Sequence, residues 1–216
     1  MMLRVLLIED EDLLRLALAS MLPDETIEVV GAFADGASAV EAAKTTDFDV
    51  LVTDLDLGNE QAPNGIVVAN VLRRTKPDIG IVLLTSYADP RLVGAKLNQV
   101  PDRTEYIRKQ SVRDMDALRA AIRRAAYAHT DVMTPLPEVE LTDGQIETMR
   151  LVAQGLTNSE IARQRVVSER TVEKSIQRIA QVLGATGDST TNTRVLLVRA
   201  YFELAGGKGA QDKLPS

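Results

Sequence analysis

The chain has 216 residues, with 25 Lys and Arg against 31 Asp and Glu, one His and no Cys. A net charge of −6 argues against a nucleic-acid binder that works by bulk attraction, because non-specific binding rests on many Lys and Arg contacts to phosphate. Without Cys there is no disulfide framework, thiolate metal site or cysteine nucleophile. No apolar run approaches the roughly 18 residues of a membrane helix. The opening MMLRVLLIEDED, an apolar run followed by acids, does not read as a signal peptide. A soluble cytoplasmic protein is expected.

Charge is unevenly spread. Residues 1–130 carry 15 basic and 20 acidic side chains, and residues 131–216 carry 10 and 11. Between them, HTDVMTPLPEVE (His129 to Glu140) has two prolines and no amphipathic period, which reads as a linker. The expected organisation is a domain over 1–128, a linker over 129–140, a second domain over 141–205 and a disordered tail over 206–216.

In chain order, Leu3 to Ile8, Glu28 to Phe33, Val50 to Thr53, Ile79 to Leu84 and Tyr106 to Ile107 are short apolar runs, the mark of strands buried on both faces. Helical periods lie between them, at Leu13 to Met21, Ala39 to Ala43, Ile66 to Leu72 and Leu118 to Ala125. A short helix is expected from about Pro90 to Lys96. The alternation predicts a doubly wound, flavodoxin-like α/β domain with a five-stranded parallel sheet.

The second half has no such runs. Thr142 with Gln145 and Thr157 with Glu160 match the capping box, and Ser168 is a third N-cap. Gly155 and Gly184 fall where helices should stop. The apolar periods Ile146-Met149-Val152, Val172-Ile176-Ile179-Leu183 and Val195-Val198-Phe202 predict a small all-α domain.

Ligands of open α/β sheets gather at the carboxyl ends of the strands. Here those ends carry Glu9 and Asp10, then Asp54, then Thr85 and Ser86, then Lys109. Clustered carboxylates suit a hard cation such as Mg²⁺. A hydroxyl and an ammonium beside them suit phosphoryl oxygens, and Asp54 suits a nucleophile that forms an acyl phosphate. The plain alternative is that acids after strands cap the next helix.

Residues 1–130 resemble the receiver domain of bacterial two-component response regulators through LLIEDED, LVTDLDLG, VLLTSY and YIRK. The resemblance implies that Asp54 accepts a phosphoryl group from a sensor histidine kinase. It implies that Glu9, Asp10, Asp54 and the backbone carbonyl of Asp56 arrange Mg²⁺, that Lys109 and Thr85 bind phosphoryl oxygens, and that Thr85 with Tyr106 reports phosphorylation. Two stretches depart from the family. The DLDLGNEQAPNG loop is about three residues longer and lacks a proline after DLDL, and NQVPDRTEY replaces a small-residue stretch before Tyr106.

In the second half, the capped segment Thr157 to Gln164, a short turn and a helix from Ser168 form a helix-turn-helix candidate. Its outward positions are Arg170, Thr171, Lys174, Gln177 and Arg178, residue types that read base edges or hold phosphate. Residues Thr157 to Leu183 carry five basic and three acidic side chains, a local reversal of sign. The alternative is a helical adaptor with a solvated charged face.

Residues 141–205 resemble the LuxR-type (NarL-like) output domain through LTDGQIETMRLVAQGLTNSEIA, SERTVEKSI and VLGA. Glu173, Ser175, Arg165 and the Gly144-Gln145 pair depart from the family's usual residues. The resemblance implies promoter DNA as partner and a homodimer seam at Leu197, Tyr201 and Leu204, which alternatively complete the monomer core. The resulting expectation is a non-membrane transcriptional response regulator that catalyses only its own phosphoryl exchange. The alternatives are a receiver that works without phosphorylation, or a Mg²⁺-dependent phosphohydrolase with Asp56 as general acid.

Overall fold

In the computed structural model the apolar runs become five parallel strands: β1 (Leu3–Ile8), β2 (Ile27–Phe33), β3 (Val50–Thr53), β4 (Gly80–Thr85) and β5 (Thr104–Arg108). The structure describes residues 1–58, 64–111, 115–127, 139–187 and 191–207. The strand order is β2-β1-β3-β4-β5, the doubly wound sheet expected. Every residue of β3 and β4 is buried, which explains why these strands read as continuous apolar runs rather than alternating ones.

Helices α1 (Asp12–Met21), α2 (Gly36–Ala42), α3 (Gly65–Thr75) and α4 (Met115–Tyr127) link and flank the strands. Leu18 and Leu22 at the end of α1, and Leu118 and Ile122 from α4, share a core with Val5, Leu7, Val52 and Val82. The strand residues between these, Leu6, Ile8, Leu51 and Ile81, are equally buried and point to the other face by the pleat. Each such side chain contributes about 1.5–3 kcal/mol by leaving water. Gly80 is required where β4 meets α4, since a Cβ there would stand 2.6 Å from the Ala125 backbone.

The helix expected from Pro90 to Lys96 is instead a 3-10 turn over Pro90–Val93, followed by another over Leu97–Gln99. Asp89 caps the first turn by accepting from Arg91 N, and Gly94 ends it in the left-handed region at φ 77°. Proline at the start and glycine one turn later leave no length for an α-helix.

The second compact unit comprises Pro137–Ser216 together with Ser86–Ala95, so the division is not a single cut in the chain. The expected linker falls mostly in 128–138, and the tail beyond Gly207 is 208–216; both lie outside the described residues. Helices α5 (Asp143–Ala153), α6 (Asn158–Arg165), α7 (Glu169–Val182) and α8 (Thr193–Leu204) form this unit. Both capping boxes are present, Thr142 with Gln145 and Thr157 with Glu160. Gly155 and Gly184 take positive φ after α5 and α7, as helix-stopping glycines do. Leu141, Ile146, Met149, Leu151, Ile161, Val172, Ile179 and Leu197 fill the core.

The expected buried stripe of α8 is corrected. Val195 is largely exposed, whereas Leu197 is fully buried and Tyr201 and Leu204 pack against the same core. The segment VLLVRAYFEL is apolar on several sides, so its own period does not select a face; its neighbours do.

Candidate functional site

Register brings the acidic residues together. Ile8 pairs with Thr53 across β1 and β3, so Glu9 and Asp54 leave the sheet side by side. Asp54 N donates to Ile8 O at 3.0 Å, and Glu9 N donates to Phe33 O at 3.0 Å. Thr53 pairs with Leu83, and Thr85 pairs with Arg108, so Lys109 emerges one residue past the end of β5 at the same edge.

One carboxylate oxygen each from Glu9, Asp10 and Asp54 lie within 4.8 Å of one another. Lys109 Nζ stands 2.7 Å from Asp54 Oδ2 and 2.7 Å from Glu9 Oε2. Glu9 and Asp54 are almost wholly buried, and Thr85 is fully buried. Asp56 N donates to Asp54 Oδ1 at 3.3 Å, while the Asp56 carboxylate accepts from Gly58 N at 3.3 Å. Tyr106 is buried on β5 opposite Leu83. Gly58, at φ 70°, lets the Asp10 carboxylate approach; a Cβ there would stand 2.5 Å from Oδ2.

The three carboxylates of Glu9, Asp10 and Asp54 stand close together beside the Lys109 ammonium. At an effective dielectric constant of about 20, like charges roughly 4–5 Å apart repel by about 3–4 kcal/mol per pair. The donor set is oxygen only, which fits a hard divalent cation.

In the helical unit, α6 ends at Val166 in the left-handed region (φ 56°, ψ 47°), and Val167 N donates back to Ala162 O at 2.9 Å. Ser168 then caps α7 by accepting from Thr171 N at 3.1 Å. This is a helix, a tight turn and a second helix. Ile161, Ala162, Val172 and Ile179 are buried inside it, and Arg170, Thr171, Lys174, Gln177 and Arg178 are all exposed on α7, with Glu173 among them.

A family model described as "Response regulator receiver domain" matches residues 5–125, more than half the chain, and one described as "Bacterial regulatory proteins, luxR family" matches residues 139–192. The chain belongs to the response regulators with a LuxR-type helix-turn-helix. Among relatives of this response regulator, LiaR of Bacillus subtilis, a transcriptional regulatory protein, is 31% identical over 84% of this chain and 91% of its own. The DNA-binding transcriptional activator DevR/DosR of Mycobacterium tuberculosis is 30% identical over 85% and 89%. Of solved structures, a response regulator RcsB–DNA complex aligns over 94% of this chain and 99% of that one, with a TM-score of 0.58 and 23% identity, a likeness of fold. Among the described residues no helix is long and apolar enough to cross a membrane.

Three polar clusters in the response regulator join residues whose pairing is not encoded in local spacing. Arg165, where the family usually has leucine, reaches Thr148 Oγ1 in α5, and Ser175 of α7 donates to the same oxygen at 3.3 Å. Thr148 is fully buried and donates to Gly144 O at 2.8 Å. Arg194 of α8 donates to Asn158 Oδ1 at 3.0 Å and to the Leu156 carbonyl, tying α8 to the start of α6. Burial pulls the Arg194 guanidinium below its ordinary range.

The third cluster is Asp89 with Arg91. Arg91 Nη2 lies 2.7 Å from Asp89 Oδ2, and hydrogen bonding to Asp89 holds the guanidinium above its ordinary range. Leu197, Tyr201 and Leu204, the expected dimer seam, do not form an open surface. They pack in the same cluster as Tyr87 and Leu92 of their own chain.

Proposed function

We propose that this response regulator accepts a phosphoryl group on Asp54 from a sensor histidine kinase and regulates transcription by binding promoter DNA through α7. The observation that carries the reading is the reach of Lys109 to Asp54 beside Glu9 and Asp10. An oxygen of Asp54 attacks phosphorus of the phosphohistidine, the P–N bond breaks, and an acyl phosphate forms while the histidine leaves. Lys109 and the Thr85 hydroxyl bind the phosphoryl oxygens. Glu9, Asp10, Asp54 and the backbone carbonyl of Asp56 would hold Mg²⁺, which would supply positive charge beside the phosphoryl oxygens. Tyr106 and Thr85 report the added charge of about −1.5 to −2.

The carboxylate of Asp56 is turned to Gly58 N, which favours one stoichiometric modification over a hydrolase's turnover. On the output side, Gln177 and the basic residues Arg170, Lys174 and Arg178, with Thr171, meet bases and phosphates in the major groove. The protein works in the cytoplasm, as a homodimer that forms through Leu197, Tyr201 and Leu204 on α8 once they are freed from Tyr87 and Leu92 of their own chain.

Incubation with acetyl phosphate and Mg²⁺, followed by intact mass, tests the first half. A single phosphoryl adduct in wild type that is absent in Asp54→Asn is expected; an unmodified wild type overturns the reading. For the second half, mobility shift on promoter fragments over a salt series should show affinity falling steeply with salt, a slope that an adaptor domain lacks.

A further inference from the structure

Arg165 ends α6, the first helix of the helix-turn-helix, yet its side chain turns back onto α5. Its guanidinium reaches Thr148 Oγ1, and Ser175 of α7 donates to the same oxygen at 3.3 Å. The Thr148 hydroxyl in turn donates to Gly144 O at 2.8 Å. A hydroxyl offers one proton and two lone pairs, so Thr148, fully buried, has every bonding position filled. Gly144 makes the room: a Cβ there would stand 2.8 Å from Arg165 Nη2. A single buried hydroxyl therefore joins α5, α6 and α7.

The rest of the α7 seat is aliphatic, from Val172, Ile176, Ile179 and Ala180. Apolar burial is non-directional, so it leaves the rotation of the helix about its own axis weakly fixed. Hydrogen bonds are directional, and a fully satisfied buried network holds one arrangement. Ser175 is where this network grips α7, and in the chain it lies between Lys174 and Gln177. We propose that Arg165 is a positioning residue for DNA recognition: through Thr148 and Ser175 it sets the rotation of α7, and so decides which base edges Lys174, Gln177 and Arg178 reach. This rests on the reading of α7 as the helix that meets DNA. Base-edge hydrogen bonds hold only within about 2.7–3.2 Å, so a small roll of α7 on its aliphatic seat is enough to lose them. Contacts to phosphate carry no sequence information and tolerate such a roll better, so the network acts on specificity more than on bulk affinity.

The test uses the full-length protein with acetyl phosphate and Mg²⁺. The probes are a duplex that the wild type selects from a random pool and a scrambled duplex of the same composition. Fluorescence anisotropy over a salt series reads both affinities. Arg165→Leu removes the guanidinium, and Thr148→Val removes the shared hydroxyl while keeping the Arg165 charge. Both should narrow the ratio of selected to scrambled binding by about tenfold, the worth of one base contact, with scrambled binding and the salt slope held. Ser175→Ala breaks only the grip on α7 and carries the test, with the same expected narrowing, if the other two variants do not fold. A ratio that Arg165→Leu leaves unchanged overturns the proposal. So does a loss in Arg165→Leu that falls equally on both duplexes and lowers the salt slope by about one, since that is the mark of a direct phosphate contact. A wild type that selects no duplex removes α7 as the helix that meets DNA, and the proposal falls with it.

Discussion

Lys109 and Asp54 are 55 positions apart in the chain, yet the ammonium sits 2.7 Å from the carboxylate, at the carboxyl end of the sheet with β4 between their strands. The same nitrogen holds Glu9, so a single side chain compensates two buried acids. Of the acids in residues 1–130, Glu9, Asp10 and Asp54 stand together where a cation and a phosphoryl group are expected.

Removing that compensation should be costly. Lys109→Ala should lower the stability of the α/β unit by about 3 kcal/mol in chelator, because two buried carboxylates lose their partner. Asp10→Asn should do the reverse, raising stability in chelator by about 1 kcal/mol through relieved repulsion. Mg²⁺ should stabilise wild type in thermal melts and have a much smaller effect on Asp10→Asn. An equal Mg²⁺ shift in both proteins would remove Asp10 from the cation site.

Val166 is β-branched, 89% exposed and held in the left-handed region at the helix-turn-helix corner. Such a conformation costs an L-residue about 1–2 kcal/mol, partly offset by the entropy a glycine loses on folding. Val166→Gly should therefore stabilise the helical unit by about 0.5–1 kcal/mol, measured by urea unfolding. A destabilised variant would mean that the valine side chain makes a compensating contact.

Gly144 and Arg165 are coupled by space. A Cβ at 144 would stand 2.8 Å from Arg165 Nη2, so alanine there displaces the guanidinium that reaches Thr148. Alanine also raises helix propensity by about 1 kcal/mol over glycine. In a double-mutant cycle, Gly144→Ala should be neutral or destabilising with Arg165 present and stabilising with Arg165→Leu. The expected coupling is about 1 kcal/mol; strict additivity would show that the guanidinium moves aside freely.

Acid should loosen the helical unit through two glutamates. Hydrogen bonding to Arg150 holds the Glu147 carboxyl below its usual range, and the Thr157 amide and hydroxyl do the same for Glu160. Folded values below the unfolded ones contribute stability that is present above the unfolded pKa and lost as pH falls through the folded values. Urea midpoints should fall with pH below the ordinary glutamate range, and Glu160→Gln should flatten that slope. An unchanged slope in the variant would assign the acid response elsewhere.

Much of the fold was legible because it rests on local rules. Apolar runs that end in Glu9-Asp10, Asp54 and Lys109 announce buried strands with charge at one edge. The two capping boxes announce where α5 and α6 begin, and α7 carries its five expected outward residues exposed. What stayed hidden depended on distant partners. The stretch from Pro90 to Lys96 read as a short helix, but Gly94 stops it after one turn, and Asp89 and Arg91 carry no local sign of a fully bonded clamp. On α8 the apolar residues surround the helix, so choosing Val195 over Leu197 as core was a choice between equivalent stripes.

The sequence by itself determined the strands, the caps, the acids at the strand ends and the polar face of α7, since each follows from spacing and residue chemistry within a few positions. Only the tertiary structure decided which side of α8 is buried and what buries it. Tyr201 meets the Leu92 carbonyl 109 positions away, and no helical period encodes its partner. Periodicity states that a face is apolar; the identity of the surface that covers it belongs to long-range packing.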